Sequence, residues 1–406
     1  MKSLDIRKHF PQIQHLDRLN EFYLDSASTT LKLDLVIQSL KEIYETQISN
    51  VHRGDHHLSL EATENYEKAR QQVADFLKAS SSEEIIFTKG TTEGINLIAN
   101  TLGETLKKGD EILVSEMEHH SNFLPWQLLA QKKQLKLKII PVTPQGEIDL
   151  EAFEKVLTSQ TKVLAISHVS NVTGVVNPIE LMLQKAKEKG AYTLVDAAQS
   201  VALLDIDVQK MDVDFFVFSG HKIFSPAGTG VLFCKKSILD QLPLYQVGGG
   251  TVVDVSLDSA KWADASHRFE AGTPFIEGVI TLGKVLSFFR EHINCKEIFN
   301  YEKSLVDQAA SEISEIPNLK IIGSPKNRSN IMSFVIEGVD SSDISFILTQ
   351  QKVAIRSGHH CCIPLMKKLK LSSGTVRASF SLYSRAEDIK ALKQGILKSL
   401  DILGVK

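Results

Sequence analysis

A lysine between two apolar runs is the first residue whose surroundings suggest chemistry. In the segment DFFVFSGHKIFSPAGTGVLFC, residues 214–234, one strand-like run leads to Ser219-Gly220-His221-Lys222, and a second follows a Gly/Pro loop. An ammonium group that loses its water has a lowered pKa, and the free amine is a nucleophile toward carbonyl carbons. Lys222 is therefore a candidate for Schiff-base chemistry, although a surface lysine at a strand end would show the same local pattern.

An aspartate at the end of another apolar run is the second candidate. Asp196 ends the segment YTLVD and precedes AAQS. A buried carboxylate without a partner is costly, and a pyridinium nitrogen would be one suitable partner. A lysine Schiff base with an aspartate on the ring nitrogen is the arrangement found around pyridoxal phosphate. Asp196 could equally cap the following turn, so this residue alone does not decide between the two interpretations.

A threonine-rich turn could bind a phosphate. The segment TKGTTEG, residues 88–94, joins a predicted strand to an apolar helix. Glycine permits close approach to the backbone, and the first N–H groups of a helix bind anions together with the hydroxyls of Thr91 and Thr92. An ordinary helix cap would explain the two threonines equally well.

Two adjacent cysteines lie among histidines and an arginine near the C-terminus. The segment RSGHHCCIP, residues 356–364, contains Cys361 and Cys362. Thiols in such surroundings suggest either thiolate chemistry or metal ligation. Three histidine pairs could supply nitrogen ligands to a metal: His56-His57, His119-His120 and His359-His360. However, the sequence has no CxxC spacing, and adjacent side chains rarely bind one tetrahedral ion without distortion, which disfavours a structural zinc site.

Short apolar runs alternate with helix-like segments between about residues 60 and 245. Seven of these runs are predicted strands: 84–88, 111–115, 136–142, 162–167, 192–195, 214–218 and 230–234. Several are apolar almost throughout, as expected for strands that helices cover on both faces. The intervening amphipathic segments include Tyr66, Ala69, Val73 and Phe76 on one helical face, and residues 179–189. The alternation predicts an α/β fold with a mainly parallel seven-stranded sheet and functional groups at its carboxyl ends.

The pattern changes after about residue 275, where helices precede four predicted strands. These strands lie near 319–323, 331–336, 352–356 and 375–380. The last helix has a buried stripe of Ile389, Leu392, Ile396 and Leu400, with Ser384 and Glu387 as a candidate capping box. We therefore expect a large domain at 21–275 and a smaller α+β domain at 276–406, with the N-terminal segment 1–20 packing on the smaller one.

Length, charge and cysteine content limit the class of protein. At roughly 150 residues per domain, 406 residues predict two to three domains. A net charge of −3 lacks the basic excess of a general nucleic-acid binder, and four cysteines are too few for a disulfide scaffold. Neither a signal-peptide core nor an apolar run of about 18 residues is present. We expect a cytoplasmic enzyme with no nucleic-acid or membrane partner.

Ten short motifs occur in order from about residue 20 to the end of the chain. They are YLDSAS, NVHRG, GTTEGIN, EMEHHSNFLPWQ, SHVSNVTGVVNP, VDAAQS, FSGHK, RFEAGTP, RSGHHCC and VRASF. Together they closely resemble the group II (SUF-type) cysteine desulfurases of the class V aminotransferase family. The resemblance implies the pyridoxal-phosphate-dependent transferase fold type I and a homodimer with active sites at its interface.

The resemblance also implies roles for residues around the cofactor. Lys222 matches the lysine that forms the Schiff base, Asp196 the partner of the pyridinium nitrogen, and Gln199 the donor to the ring phenolate. His119 matches the histidine that stacks over the ring and is a candidate proton carrier. The implied phosphate ligands are Thr91, Thr92, Ser219 and His221, with Thr273 supplied by the neighbouring subunit.

Further matches concern the substrate and its sulfur. Asn171, Arg356 and Arg377 match groups around the substrate, and Arg377 matches the carboxylate clamp, for which a bidentate arginine is well suited. His52 and Arg53 match residues that line the site near the sulfur. Cys361 matches the nucleophile that forms a persulfide. We expect it on a mobile loop bracketed by Gly358 and Pro364, since the persulfide must reach an acceptor thiol.

The implied function is conversion of L-cysteine to L-alanine with a persulfide on Cys361, and sulfur transfer to a SufE- or SufU-like acceptor for iron–sulfur cluster assembly. The alternatives are a selenocysteine lyase, an ordinary aminotransferase that does not need Cys361, and a non-catalytic metal-binding or sulfur-carrier scaffold.

Three places depart from the family's pattern: Cys362 in place of alanine, Phe275-Ile276-Glu277 in place of polar and glycine residues, and Ser225 with Ala227 in the loop after the lysine. Cys362 is either a small apolar filler or a second thiol that handles sulfur.

Overall fold

The computed structural model describes residues 6–324 and 326–405, so residues 1–5 of the predicted N-terminal segment lie outside the described range. The strands in this range are β1 Phe22–Tyr23, β2 Ile85–Thr88, β3 Glu111–Ser115, β4 Lys136–Ile140, β5 Thr161–Ser167, β6 Tyr192–Asp196, β7 Phe215–Ser219, β8 Gly230–Cys234, β9 Val252–Val255, β10 Ala260–Trp262, β11 Leu319–Ile322, β12 Ile331–Ile336, β13 Val353–Ala354, β14 Arg356–Gly358 and β15 Thr375–Ser379.

The helices in the same range are α1 Pro11–Leu19, α2 Asp34–Glu42, α3 His57–Leu77, α4 Thr91–Thr105, α5 His120–Lys133, α6 Leu150–Val156, α7 Ile179–Glu188, α8 Lys236–Leu239, α9 Ile276–His292, α10 Cys295–Ile313, α11 Ser341–Gln350, α12 Ile363–Lys368 and α13 Ala386–Leu403. Short 3-10 turns lie at Arg7–His9, Ser82–Glu84, Gly220–Lys222 and Ala265–Phe269, and a π-helical turn lies at Ile43–Gln47. Within residues 6–324 and 326–405, none of the helices combines the length and apolar composition of a membrane span.

A seven-stranded sheet with the order β2-β8-β7-β6-β5-β3-β4 forms the centre of the larger core. β8 runs antiparallel to both of its neighbours, and the other neighbouring pairs are parallel. The seven predicted strands between residues 84 and 234 are thereby confirmed, with small shifts at their ends. β4 ends at Ile140 rather than at 142, because Pro141 has no N–H to continue the ladder.

Helices cover both faces of this sheet, which explains why several of its strands are apolar almost throughout. In β3, Ile112 and Val114 face the layer of α4 and α5, while Leu113 faces the opposite layer, which contains α3, α7 and α9. Side chains alternate between the two faces of a strand, so burial of both faces requires apolar residues throughout. The predicted mainly parallel α/β architecture is confirmed.

A smaller antiparallel sheet with the order β11-β12-β15-β14 packs with α10, α11 and α13. The single strand predicted at 352–356 is wrong: β13 pairs with β1, and β14 joins the smaller sheet instead. The stripe predicted on the last helix is buried, but the predicted capping box is displaced by one residue. α13 begins after Arg385, whose N–H donates to the Asp388 carboxylate at 2.9 Å.

The helix α9 packs against α3 and α2 and buries its apolar face in the larger core. We propose that the chain divides after this helix rather than at residue 276, because the buried residues of the helix belong to the larger core. In the N-terminal segment, the Phe10 ring lies 5.5 Å from the Phe224 ring and 4.9 Å from the Tyr383 ring, measured between centroids. The segment thus joins a loop of the larger part to the region just before α13.

Candidate active site

A cavity of about 250 Å³ opens at the carboxyl ends of the central parallel strands. β5, β6 and β7 end at Ser167, Asp196 and Ser219, and all three side chains line the cavity. The carboxyl ends of parallel strands meet at one edge of a sheet, where α/β folds place their ligands. Twelve of the fifteen predicted site residues line this cavity: Thr91, Thr92, His119, Asn171, Asp196, Gln199, Ser219, His221, Lys222, Arg356, Cys361 and Arg377.

Lys222 and Asp196 both line the cavity, and each acts electrostatically on the other. Lys222 lies in the turn after β7, and loss of water lowers the pKa of its ammonium group, while the Asp196 carboxylate acts in the opposite direction. Burial raises the pKa of Asp196, whose Oδ1 accepts the Ala198 N–H at 2.9 Å. A cation placed against this carboxylate would offset its loss of hydration. The pair therefore offers a nucleophilic amine and a buried acceptor for a cationic ring nitrogen.

The start of α4 forms the anion-binding side of the cavity. The Thr91 N–H donates to Ser219 Oγ at 2.9 Å, and the hydroxyls of Thr92 and Ser121 are 2.6 Å apart. Gly90 precedes the helix with a φ of +155°, and an added Cβ would lie 3.1 Å from Ser219 Oγ. Hydroxyls at a helix N-terminus, together with its partial positive charge, suit a phosphate group.

His119 is held in one orientation at the start of α5. Its Nδ1 accepts the Ser121 N–H at 3.1 Å, which places the ring proton on Nε2. Burial and the nearby Lys222 lower the pKa of His119 to about 4. Burial and the same lysine also lower the pKa of His221 to about 4. Both rings are therefore neutral near pH 7, and His119 can exchange a proton without first losing a charge.

Two arginines that line the cavity share one carboxylate, that of Asp25. Asp25 accepts from Arg377 Nη2 through Oδ1 and from Arg356 Nη2 through Oδ2, at 3.1 Å each. Arg377 Nη1 also donates to the Asn171 carbonyl oxygen at 3.0 Å. Its Nε is buried and has no hydrogen-bond partner among residues 6–324 and 326–405. A buried guanidinium donor left unpaired beside a cavity is suited to an incoming carboxylate.

Cys361 is exposed and also lines the cavity. It lies in the four-residue loop 359–362 between β14 and α12, where His360 and Cys361 have φ values of +49° and +57°. The His120 N–H donates to the Cys361 carbonyl oxygen at 2.8 Å, which ties the loop to the start of α5. Consecutive left-handed residues other than glycine are strained, so the loop is held by its surroundings. Its mobility remains a prediction.

Cys362, by contrast, is fully buried beside Asn171. Its Sγ donates to Asn171 Oδ1 at 3.0 Å, and Asn171 Nδ2 donates to the His360 carbonyl oxygen at 2.9 Å. Burial raises the pKa of the Cys362 thiol and keeps it protonated. The thiol therefore fixes the Asn171 amide in addition to filling apolar space, and it is a poor nucleophile compared with an exposed cysteine.

Three predicted site residues are not in this cavity. His52, Arg53 and Thr273 line a second cavity of about 440 Å³, together with His267 and Glu270. The resemblance implies that Thr273 contacts the cofactor of the neighbouring subunit, and a contact made by a second copy cannot appear within one chain. The roles of these three residues remain predictions.

Several residues of the cavity were not predicted from the sequence. They are Ala27, Ser28, Ser121, Ser167, Val169, Ala198 and His360, and Asp25 contacts the two arginines from behind. Asp25 and Ser28 belong to the motif YLDSAS, while Ser121 and Ser167 belong to two other motifs quoted above. The motifs were therefore a usable signal, but their order along the chain does not show which of their side chains face the cavity.

Comparison with known proteins places these observations in context. Residues 22–392 match the family described as Aminotransferase class-V. A protein named "Probable cysteine desulfurase" from Vibrio cholerae is 42% identical over 99% of this chain and 100% of its own length. A "Cysteine desulfurase" from Wigglesworthia glossinidia brevipalpis is 43% identical over 97% and 96%. The apo structure of a cysteine desulfurase from Thermococcus onnurineus superposes with a TM-score of 0.92, at 38% identity over 99% of this chain and 98% of that one.

Proposed function

The chain belongs to the class-V aminotransferase family, and from this premise we propose which residues carry out its reaction. The protein is a pyridoxal-phosphate-dependent cysteine desulfurase. We propose that L-cysteine is converted to L-alanine and that its sulfur passes to Cys361 as a persulfide. The observation that carries this assignment is the position of the exposed Cys361 on the cavity that also contains Lys222 and Asp196.

The cavity fits the cofactor chemically. Lys222 would bind its aldehyde carbon, Asp196 would face its ring nitrogen, and the N-terminus of α4 with Thr91 and Ser219 would bind its phosphate. When bound, the cofactor supplies an aldehyde for the substrate amine and a ring that accepts electrons. The buried carboxylate requires a cation, and the start of α4 favours an anion, so these two features of the cavity match the ring nitrogen and the phosphate of this group.

The chain's own residues orient the substrate and move protons. The unpaired Nε of Arg377 binds the substrate carboxylate, which fixes the position of the Cα–H bond. Lys222, an amine with a lowered pKa, accepts the Cα proton, and the neutral His119 exchanges protons near the same place. The Cys361 thiolate attacks the substrate sulfur, so an S–S bond forms while the C–S bond breaks, with its electron pair left on carbon. Protonation of that carbon gives alanine.

Mass spectrometry after incubation with cysteine tests this assignment. We expect the mass of one additional sulfur atom on Cys361, because Cys361 is exposed and Cys362 is a buried thiol with a raised pKa. The measurement is fragment-ion analysis of the alkylated peptide that contains both residues. Cys362→Ala is the matched control and should carry the same sulfur. Additional sulfur on Cys362, or on neither cysteine, would refute the assignment.

Replacement of Arg377 by lysine tests the carboxylate clamp. A lysine keeps the charge but loses the planar donor set, so we expect kcat/KM for cysteine to fall roughly tenfold to a hundredfold, mainly through a higher KM. Initial rates of alanine formation measure this effect. The control is Arg290→Lys, because Arg290 pairs with Asp75 at 2.9 Å away from the cavity. An unchanged KM in Arg377→Lys would exclude the clamp.

We further propose that this enzyme is a group II (SUF-type) desulfurase. In this proposal it is a cytoplasmic homodimer that supplies sulfur for iron–sulfur cluster assembly through a SufE- or SufU-like acceptor. The exposure of Cys361 supports transfer to an acceptor, since the acceptor's thiolate can attack the outer sulfur of the persulfide and release the Cys361 thiolate.

Turnover with purified acceptors of each type identifies the partner. A comparison of cysteine with selenocysteine as substrate tests the lyase alternative, and transfer to a keto acid tests the aminotransferase alternative.

A further inference from the structure

Two histidines and a glutamate converge outside the cofactor cavity, on the second cavity described above. Glu67 Oε1 lies 2.9 Å from His52 Nε2 and 3.3 Å from His267 Nε2, and the three ligand atoms lie within 4.8 Å of one another. We propose that His52, Glu67 and His267 form a binding site for a divalent transition-metal ion such as zinc. This proposal concerns metal binding alone and assigns the ion no step in the desulfuration reaction.

The spacing of the three side chains suits such an ion. Zinc binds imidazole nitrogen and carboxylate oxygen at about 2.0–2.2 Å, so neighbouring ligand atoms of a tetrahedral ion lie about 3.3 Å apart. The two separations from Glu67 Oε1 are close to this value, and the third, between the two histidine nitrogens, is at most 4.8 Å. The two imidazole rings are nearly perpendicular, at 84°, with their centroids 5.4 Å apart. Two histidines and one glutamate are also a known zinc ligand set that leaves one position open to water.

A buried arginine orients the glutamate. Arg70 donates through Nε to Glu67 Oε2 at 2.9 Å, and its side chain is only 2% exposed. The guanidinium is held in turn by Glu270, at 2.6 and 2.9 Å, and by the Ile85 carbonyl oxygen at 2.9 Å. Partners of this kind fix the direction of a metal-ligating carboxylate. Arg70 Nη2 also donates to Glu67 Oε1 at 3.3 Å, but two carboxylates, those of Glu67 and Glu270, face this one guanidinium, so the group keeps a net negative charge toward a cation.

The backbone and the solvent exposure of the cluster support the same conclusion. His52 has a φ of +71°, and its N–H donates to Thr63 Oγ1 at 2.8 Å, so this conformation is held in place by α3. A strained residue fixed by its surroundings is a feature of functional positions. Within the single chain, the side chains of His52, Glu67 and His267 are 34%, 36% and 40% exposed, which leaves room for an ion beside them.

Zinc binding to the holoenzyme tests the proposal. Chelator-treated protein is dialysed against buffered Zn²⁺, and bound zinc is counted by inductively coupled plasma mass spectrometry. We expect His267→Ala and His52→Ala each to bind one zinc ion per chain fewer than the wild type, or to bind it at least about tenfold more weakly. The matched control is His57→Ala. His57 lies 3.7 Å from Glu61 on the same helix, but the three-residue cluster does not include it.

The visible absorption of bound Co²⁺ provides a second measurement, which does not depend on the number of zinc ions bound per chain. Co²⁺ bound by nitrogen and oxygen ligands gives visible absorption bands that report its geometry, and these should appear in the wild type and in His57→Ala but not in His267→Gln. The glutamine variant guards against loss of folding in the alanine variant, and circular dichroism verifies the fold of each. Equal zinc binding in all variants, or no binding by the wild type, would overturn the proposal. Neither readout requires turnover, so the result is independent of the desulfurase assignment.

Discussion

Replacing Lys222 by alanine should remove the visible absorbance band of the bound cofactor and slow alanine formation at least about a thousandfold. In the proposed mechanism, the band depends on the covalent bond between this amine and the cofactor's aldehyde, and the same amine accepts the Cα proton. Loss of a nucleophile that also acts as a base has effects of this size or larger in other enzymes. Absorbance spectra and rates of alanine formation measure the two effects on one sample.

Lys32 provides the matched control for this substitution. Burial lowers the pKa of Lys32 to about 8, but its Nζ donates to the His221 carbonyl oxygen at 3.0 Å, and it is not among the residues that line the cavity. We therefore expect Lys32→Ala to keep the absorbance band. Borohydride reduction of the wild type followed by peptide mapping should label Lys222. A persistent band in Lys222→Ala, or a label on another residue, would show that the Schiff-base assignment is wrong.

The central sheet could be predicted from the sequence because the apolar run of each strand is visible in its own local sequence. β3 and β8 occupy the predicted residues without any shift, since every position in them is buried against one of two apolar layers. The short strands were harder to predict. β13 and β14 lie side by side in the sequence but pair with different partners, and β13 pairs with Phe22–Tyr23, about 330 residues earlier in the chain. No local pattern in 352–358 contains that information.

The candidate site shows the same difference between residues with a local sequence signal and residues that only the folded structure brings into place. Residues such as Asp196 and Ser219 were predictable because they end buried strands, and the strands themselves bring them together. Asp25 was missed although it bonds both Arg356 and Arg377, which would otherwise repel each other. A carboxylate is needed between the two guanidinium groups only because the folded chain places them side by side, so the sequence alone does not reveal this need.

The capping box of α13 was misplaced for a local reason. Glu387 and Asp388 are both acidic, and the backbone conformation determines which of the two carboxylates accepts the N–H of the residue before the helix.

Replacing Cys361 by alanine should keep the colour of the enzyme but lower sulfide and persulfide production at least about a hundredfold. The proposed cofactor contacts are Lys222, Asp196 and the start of α4. Among residues 6–324 and 326–405, the Cys361 side chain forms no hydrogen bond or ion pair with any of them, so its loss should leave these contacts in place. The measurements are the absorbance spectrum and sulfide release in the presence of a reducing thiol.

Cys362 is the residue that could take over as the nucleophile when Cys361 is replaced. Its thiol is adjacent in sequence, but burial raises its pKa, and its Sγ donates to Asn171 Oδ1. To replace Cys361 it would have to leave the apolar core, break this hydrogen bond and lose its proton, and each of these steps opposes nucleophilic attack. Cys362→Ala should therefore retain most of the sulfide production that Cys361→Ala loses. Full activity in Cys361→Ala would move the nucleophile to Cys362, and full activity in the double variant would refute a protein-bound persulfide.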